Sequence, residues 1–511
     1  MKKVFSFLIA ALAVSTTQAQ DINDAYRYSS EQLGGTARYR ALSGAFGALG
    51  GDLSAMSANP AGSAVFSTGE VGATFGNSSI RNNSLYFGTL ATDSKSKFDL
   101  SQIGGVLVFN NQSKEANWRK IAVGFNVENS NSFNNNVFVA GFNPNNSIDK
   151  YFLSYANGVT LDDIEVYDGE NVTEVYRWLG ENRGYGAQQA FLAYQAYLIN
   201  PISNDPENTQ YVSNASYGTV DQEYFMATTG YNYKITFNFA TQYKDKLYLG
   251  ANLNAHAIDF SKYTYLSEIG FASNSTIQEI GFENDLKTYG SGFSFQLGAI
   301  AKLSDELRIG ATYQSPTWYN INDELIQSLF TVSEVDNGDG TFTEFTDVVE
   351  PNVINIYETY KLMTPSKITG SLAYVFGKYG LISFDYSRKN YANAEFRPTS
   401  DSYFRDQNSI ISNQLKDASS YRIGGELRVD NVSLRAGYRL EESPYKNERT
   451  VGELNGYSLG IGYNFGAVSL DIAYDHAKQD SYRSLYNVGL TDAATTSSKF
   501  NNVMMSIGIK L

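Results

Sequence analysis

The sequence predicts an all-β fold: a transmembrane antiparallel β-barrel of about 14 strands whose lumen is filled by the chain's own N-terminal segment. Three observations carry that prediction. Period-two alternation of apolar and polar residues recurs along the chain and is strongest in its second half. The connections between alternating runs switch between tight and long. The composition combines 38 Tyr, 31 Phe and 44 Gly with only 9 Pro, as a barrel with aromatic girdles requires.

The first element is a secretory signal, residues 1–19. Lys2 and Lys3 precede the apolar run from Val4 to Val14, and the small residues Thr17 and Ala19 suit cleavage before Gln20. That run is too short for a spanning helix, and no later stretch approaches the ~20 consecutive apolar residues a helix needs. The absence of Cys removes disulfides, thiolate metal sites and cysteine nucleophiles together. A secreted chain of 511 residues without a disulfide points to a Gram-negative envelope. A net charge of -14 excludes nucleic acid as a partner, because nothing would neutralise its phosphates. Mean hydropathy of -0.31 does not argue against a barrel, since lipid-facing and lumen-facing residues average out.

The second element, residues 20–67, contains GDLSAMSANPAGSAVF from Gly51 to Phe66. It has neither helical nor strand periodicity. With fourteen strands both chain ends lie on the periplasmic side, so this segment turns inward as a plug. Its Gly, Ala and Ser let it coil within a narrow bore, and Asn59-Pro60 ends a turn that aims the chain into the first strand.

The third element, residues 68–511, is the barrel. The alternating runs are 71–78, 98–110, 118–128, 230–240, 246–260, 291–303, 307–319, 363–376, 381–391, 419–429, 432–440, 456–465, 468–477 and 501–511. Within one of them Tyr457, Leu459, Ile461, Tyr463 and Phe465 alternate with Ser458, Gly460, Gly462 and Asn464. Tight connections such as 241–245, 304–306, 377–380, 430–431 and 466–467 alternate with long ones at 129–229, 261–290, 320–362, 392–418, 441–455 and 478–500. Short periplasmic turns and long outer loops are the asymmetry of an outer-membrane barrel, and a soluble β-sandwich has no reason to keep it. Arg308, Arg422, Glu426, Arg428, Arg435, Arg439, Asp385, Asp471 and Asp475 all fall on the polar phase of their strands. A charge facing lipid at mid-bilayer costs roughly 2–4 kcal/mol, so all of them are expected to face the lumen, holding the plug or lining a pore.

The loops carry further signals. Val175, Trp178 and Leu179, and then Phe191, Tyr194 and Leu198, follow helical spacing. They predict one or two amphipathic helices that either pack on the barrel mouth or offer an apolar landing surface. VDNGDGTFTEF reads as a hairpin and lacks the acidic spacing of a calcium loop. Motifs with catalytic overtones do not survive their context. Gly456-Tyr457-Ser458-Leu459-Gly460 fits GxSxG, followed by Asp471 and His476, but alternation runs straight through Ser458, where an elbow needs a strand-to-helix turn. The Gly-rich stretch from Gly44 to Gly50 lacks GxGxxG spacing and a βαβ context. The only histidines, His256 and His476, leave too few ligands for heme or zinc, so no metal, cofactor or catalytic site is expected.

Several stretches carry a family resemblance. GDLSAMSANPAG before the first strand, then LRIGATYQSP, TPSKITGSLAYVFGKYGLISFDYS, LRAGYRLEESPY and YSLGIGYNFGAVSLDIAYDH, resemble the long-chain fatty acid transporter family of outer-membrane proteins, which includes aromatic-hydrocarbon uptake channels. The Asn59-Pro60-Ala61 triplet and the run from Arg435 to Pro444 are its most specific elements. The resemblance implies an N-terminal hatch at about residues 20–67 and passive uptake of hydrophobic molecules. It also implies an outer-loop groove, a pocket beside the hatch, and a sideways exit through the wall at the third strand, about residues 118–128. Asn129-Ser130-Asn131-Ser132 just beyond is compatible with a strand that does not seal. The long first loop and the terminal Ile509-Lys510-Leu511 depart from the family pattern.

The expected function is therefore passive outer-membrane transport of hydrophobic, fatty-acid-like small molecules by a monomeric barrel in lipid. Phe46, Leu49, Leu53 and Met56, with Asn59, Pro60 and Ala61, are the hatch candidates for contact with ligand or pocket. Arg435 or Arg439 could meet a carboxylate head, with structural pairing to lumen acids as the alternative. A competing reading is a non-transporting scaffold, a component of a secretion or lipoprotein complex, whose extracellular loop 129–229 docks a protein partner. A general porin would need an open lumen, and an enzyme would need a catalytic set that the strands do not supply.

Overall fold

Alternation along each strand sorts side chains between lipid and lumen, and the computed structural model shows the ring this builds. It describes residues 20–113, 115–339 and 341–511, so the signal segment lies outside the described residues. The strands are β1 (Glu70–Tyr86), β2 (Thr89–Asn110), β3 (Trp118–Ser132, continued by Asn135–Asn143), β4 (Val220–Tyr243), β5 (Leu247–Ile269), β6 (Ile277–Lys302) and β7 (Leu307–Gln314, continued by Trp318–Asp336). They continue as β8 (Lys367–Val375, preceded by Tyr360–Met363), β9 (Gly380–Asn390), β10 (Asp417–Val429), β11 (Val432–Glu441), β12 (Val451–Asn464), β13 (Val468–Ser484) and β14 (Ala493–Lys510). Sequential neighbours pair antiparallel, and β14 returns to β1 from Glu70↔Lys510 to Leu85↔Thr495. The ring of strands thus closes on itself, as a membrane demands of a strand protein.

The registers place the predicted faces. On β12, Tyr457, Leu459, Ile461 and Tyr463 point outward and exposed, as does Phe465 just beyond it, whereas Ser458 is buried inside. Tyr421, Tyr438, Phe376 and Tyr379 are likewise exposed on the outer wall, as aromatic girdles require.

The strands run farther than the alternation predicted. Residues 261–269 and 277–290, expected as loop, are strand, and only 270–276 link β5 to β6. Residues 79–86 and 89–97 likewise pair as a hairpin turning at Phe87 and Gly88. The physical reason is the solvent. Beyond the bilayer the outer face no longer needs apolar residues, so Thr92, Ser94 and Ser96 keep strand geometry while losing its pattern. VDNGDGTFTEF forms the expected hairpin, with β7 pairing Phe342–Val349.

The lumen is filled in layers. The hatch body contains α2 (Ala37–Ala41), α3 (Ala55–Ala58) and the 3-10 turn Pro60–Val65. Farther out, α1 (Ile22–Ser29) packs Ala25 and Tyr28 against Phe133, Phe260, Tyr319 and Phe404, the last from α8 (Ser402–Gln414). Asp21 caps α1 in a capping box with Asp24. Outermost, α4 (Asp149–Ala156), α5 (Leu161–Ile164), α6 (Val172–Asn182) and α7 (Tyr185–Gln195) bury Val175, Leu179, Phe191 and Leu198 in one cluster. These helices cap the mouth, and Trp178 stays exposed beside Arg183.

Candidate functional site: the hatch, its chamber and the wall beside it

The hatch is held by polar groups from nearly every strand. The Ala37 N–H donates to Ser506 Oγ at 2.6 Å, and Arg40 reaches Asp475 at 2.7 Å. The Ser43 N–H donates to Ser458 Oγ at 3.0 Å, and the Phe46 and Gly47 N–H groups donate to Asp385 at 3.0 and 2.9 Å. Across the lumen Arg308 donates to the Leu49 carbonyl at 3.1 Å, and Asn252 and Asn238 donate to the Met56 and Pro60 carbonyls at 2.8 and 2.9 Å. A coil without internal ladders thus satisfies its backbone on the wall.

Small residues are what let it fit. Gly50 has φ +64, and a Cβ there would lie 2.7 Å from the Gly62 carbonyl oxygen. On the wall, a Cβ at Gly424 would lie 2.6 Å from the Leu42 carbonyl oxygen. Asn59 is fully buried: its Nδ2 donates to the carbonyls of Gly47 at 2.7 Å and Ala299 at 3.0 Å, while its Oδ1 accepts the Ala61 N–H at 3.1 Å. Asn59, Pro60 and Ala61 therefore pin the hatch to β4 and β6.

Besides Arg40 with Asp475, the lumen charges form two networks on β10 and β11. Glu426 accepts from Arg38 at 3.0 Å, Arg428 at 2.6 Å and Arg435 at 2.6 Å, and Arg435 also pairs with Asp471. Arg422 reaches Glu441 at 3.1 Å, with Arg439 at 3.9 Å from the same carboxylate. In the hatch, burial pushes the Asp52 carboxyl up, opposed by Arg38 and by bonds from Thr36 and Ser54. In α1, burial raises the Asp24 carboxyl to about 6 against the pull of Arg27.

Phe46, Leu49, Leu53 and Met56 are all buried against the wall, the first two near Ala373 and Leu381 and the last two near Val106, Ala122 and Ile300. They do not line open space. A cavity of about 310 Å³ lies instead between hatch body and α1, lined by the hatch residues Ser29, Glu31, Gln32 and Leu33 and by wall residues including Asn232, His256, Lys389, Arg422 and Arg439. The sequence does not reveal this chamber, because its lining comes from thirteen of the fourteen strands and from hatch residues without pattern. The parity of the strands did signal which side chains face it.

The chamber borders an unpaired stretch of wall between β2 and β3. β2 and β3 pair from Gln102↔Glu128 to Asn110↔Lys120 and no farther. Within residues 120–128 the wall is sealed; beyond Glu128 the ladder of β3 runs with β4 only and that of β2 from Thr89 to Ser101 with β1 only, while farther out Asn82 of β1 donates to Asn135 Oδ1 at 2.6 Å. Lys95, Lys97 and Asp99 on one side and Asn129, Ser130 and Asn134 on the other border the cavity there. Phe98 and Leu100 face outward beside it.

The GxSxG serine is structural: Ser458 Oγ lies 2.7 Å from Ser43 Oγ and donates to the Ala41 carbonyl at 3.0 Å. His476 Nδ1 lies 2.9 Å from Asn501 Oδ1, and Asp475 is engaged by Arg40. Among the described residues no group of three His, Asp or Glu is placed to hold a metal.

The profile of the family described as outer membrane protein transport protein (OMPP1/FadL/TodX) matches residues 209–501. That of an uncharacterised protein family, UPF0164, matches residues 5–94. No curated protein matches the sequence. Among solved structures, the chain is similar to a FadL homologue of Pseudomonas aeruginosa, with 11% identity over 94% of this chain and 99% of that one at TM-score 0.52. It is similar also to the toluene transporter TodX of Pseudomonas putida, with 14% identity over 94% and 100% of the two chains at TM-score 0.50. At these identities the likeness is one of fold.

Proposed function

Since this chain belongs to the OMPP1/FadL/TodX family of outer-membrane transport proteins, we propose that it is a passive outer-membrane channel for hydrophobic, fatty-acid-like small molecules. A solute arrives at the outer loops, pauses in the chamber beside the hatch and leaves sideways where β2 and β3 part. The observation that carries this reading is the pairing of a filled lumen with a chamber bordered by an unpaired stretch of wall. Lipopolysaccharide and water-filled pores both exclude apolar solutes, and such a route avoids both. On this path Phe46, Leu49, Leu53 and Met56 meet the solute only when the hatch, residues 20–67, shifts. Arg439 and Arg422, which share Glu441, line the chamber and could meet a carboxylate there, whereas Arg435 is engaged by Glu426 and Asp471 outside it.

The test is uptake of a labelled fatty acid into liposomes carrying the full protein or a variant lacking residues 20–67. Transport by the full protein, altered by the deletion, is expected; failure of both to bind or move apolar solutes would end this reading. A second reading, docking of a protein partner on loop 129–229, draws on the apolar side chains left exposed there, Trp178, Tyr197, Ile202 and Val212. A purified barrel that moves no solute but copurifies stoichiometrically with one envelope protein would favour it.

A further inference from the structure

On the strands that close the ring, the outward face changes its chemistry row by row. Ile509, Ile507 and Val503 of β14 and Ile472 of β13 are exposed on the outer wall. The row beyond Val503, formed by Ser79, Asn501 and His476, is polar, and Asn501 Oδ1 lies 2.9 Å from both the Tyr474 hydroxyl and His476 Nδ1. The next row is cationic: Arg81 of β1 stands opposite Lys499 of β14, and Lys499 opposite Lys478 of β13. All three are exposed, and the residues flanking Arg81, Ile80 and Asn82, are buried on the inner side. Ten residues separate Lys499 from Ile509. At ~3.4 Å per residue and a tilt of roughly 40°, the row stands ~25 Å above Ile509, the height of the apolar band of such barrels. It therefore lies where hydrocarbon gives way to headgroups.

The fold leaves most of this charge unanswered. Residues directly opposite on antiparallel strands hold their Cβ atoms ~4.5–5.5 Å apart, and like charges there repel. Asp480 reaches Lys478 at 3.1 Å, with both side chains half exposed, and Glu453 stands beyond Asn455, which donates to it at 2.8 Å. Among the described residues no acid engages Arg81 or Lys499. Nor is the row one stretch of a cationic belt. The chain carries a net charge of -14, and the outward faces of β5, β6 and β7 present Asp259, Glu283, Asp285 and Glu324 beside Lys287.

We propose that β13, β14 and β1 form a binding site for the phosphorylated glycolipid of the outer leaflet. Its phosphate sits among Arg81, Lys499 and Lys478, and its acyl chains run down the wall along Ile472, Val503 and Ile507. The guanidinium can grip two phosphate oxygens at once, and the two ammonium groups add point charges on the same anion. Depth selects a lipid over a soluble anion, because only a lipid holds its phosphate directly above that apolar wall. The bound phosphate turns repulsion across the seam of first and last strands into a bridge over three strands. This assignment does not depend on what passes through the barrel.

Native mass spectrometry of the full protein released from nanodiscs reads the lipid it retains. The probes are bisphosphorylated lipid A, the same lipid stripped of its phosphates, and inorganic phosphate as a competitor. Lipid A should be retained at least tenfold more tightly than the stripped form. Each cation removed should weaken retention about fivefold, so Arg81→Gln with Lys478→Gln and Lys499→Gln should weaken it roughly a hundredfold. Lys287→Gln, on a different sector of the wall, should leave it unchanged. All four side chains are exposed, and heat-modifiable migration checks that each variant is a folded barrel. Equal retention of the stripped lipid, or full retention by the triple variant, would overturn the assignment. So would displacement of lipid A by millimolar inorganic phosphate, which would make the row a site for free anions. A loss in Lys287→Gln as large as that in the triple variant would reduce the effect to unspecific attraction and overturn it as well.

Discussion

Replacing Glu426 by Gln should loosen the hatch without opening the barrel. The Glu426 side chain is 1% exposed and answers three guanidiniums, of which only Arg38 belongs to the hatch. Breaking a buried ion pair by removing one partner costs ~3–5 kcal/mol. Arg428 and Arg435 are wall residues, so part of that cost stays within β10 and β11. The hatch's share is one charge-assisted bond, about 1.5–3 kcal/mol, and Arg38 is 19% exposed, which puts it at the lower end. At ~1.4 kcal/mol per decade, hatch release becomes roughly 10- to 30-fold more frequent. Hydrogen exchange of the protein in nanodiscs reads this directly. Amides of residues 33–66, the Ala37 and Phe46 N–H groups among them, should lose protection by about that factor, while the β12–β13 ladder is unchanged. A loss below ~2-fold would refute the assignment of Glu426 as a hatch anchor. Equal loss across hatch and barrel would show that the hatch does not move as a unit.

Three further outcomes are expected. Ser43→Cys with Ser458→Cys should form a disulfide between hatch and β12, because the two Oγ atoms lie 2.7 Å apart and the chain has no other cysteine; oxidised protein should stop solute passage and reductant restore it, whereas undiminished passage would mean that the solute bypasses a fixed hatch. Amides of β2 between Thr89 and Ser101 that point away from β1 should exchange orders of magnitude faster than those of residues 102–110, and equal protection would mean that the wall closes there in a bilayer. Docking of α1 should depend on pH: the Asp24 carboxyl, facing Arg27, Asp21 and Asp323, is raised to about 6 in the docked state. Docking is therefore strongest below the ordinary carboxylate range and weakens as pH rises through about 6. Tryptic cleavage after Arg27 should accelerate from pH 5 to pH 8 in the native protein but not in Asp24→Asn, and the opposite trend would reverse the sign of the coupling.

What the sequence made legible was whatever repeats every two residues. Alternation from Tyr457 to Phe465 and from Val468 to Tyr474 marks lipid-facing strands because the bilayer enforces it. The same rule turns Arg308, Glu426, Arg435 and Asp475 inward. Where that enforcement ends, so does legibility: residues 79–86, 89–97, 261–269 and 277–290 are strands that no solvent contrast marks. The chamber was illegible for another reason. Asn129, Asn232 and His256 converge only because three strands take a particular register, and a register is a property of pairs. The hatch lay between these cases: its small residues announced confinement, but which wall atom each backbone group would find could not be read from Gly, Ala and Ser.

The position of Gln20 has a consequence for how this molecule is made. Its side chain donates to Asp323 at 2.7 Å and its carbonyl accepts from Tyr403 at 2.5 Å, both near the outer end of the lumen, while Glu70 begins β1 at the other end. About fifty residues therefore run along the bore, beneath the outermost helices, before the first strand is laid down. A finished ring would have to be threaded backwards to receive them. A ring still open between β1 and β14 need only wrap around them, and Ser506 of β14 meets the Ala37 N–H as that seam shuts. The segment that obstructs the grown channel is then the core on which the channel is wound, and its loss would be felt first in the yield of closed barrels and only afterwards in what passes through them.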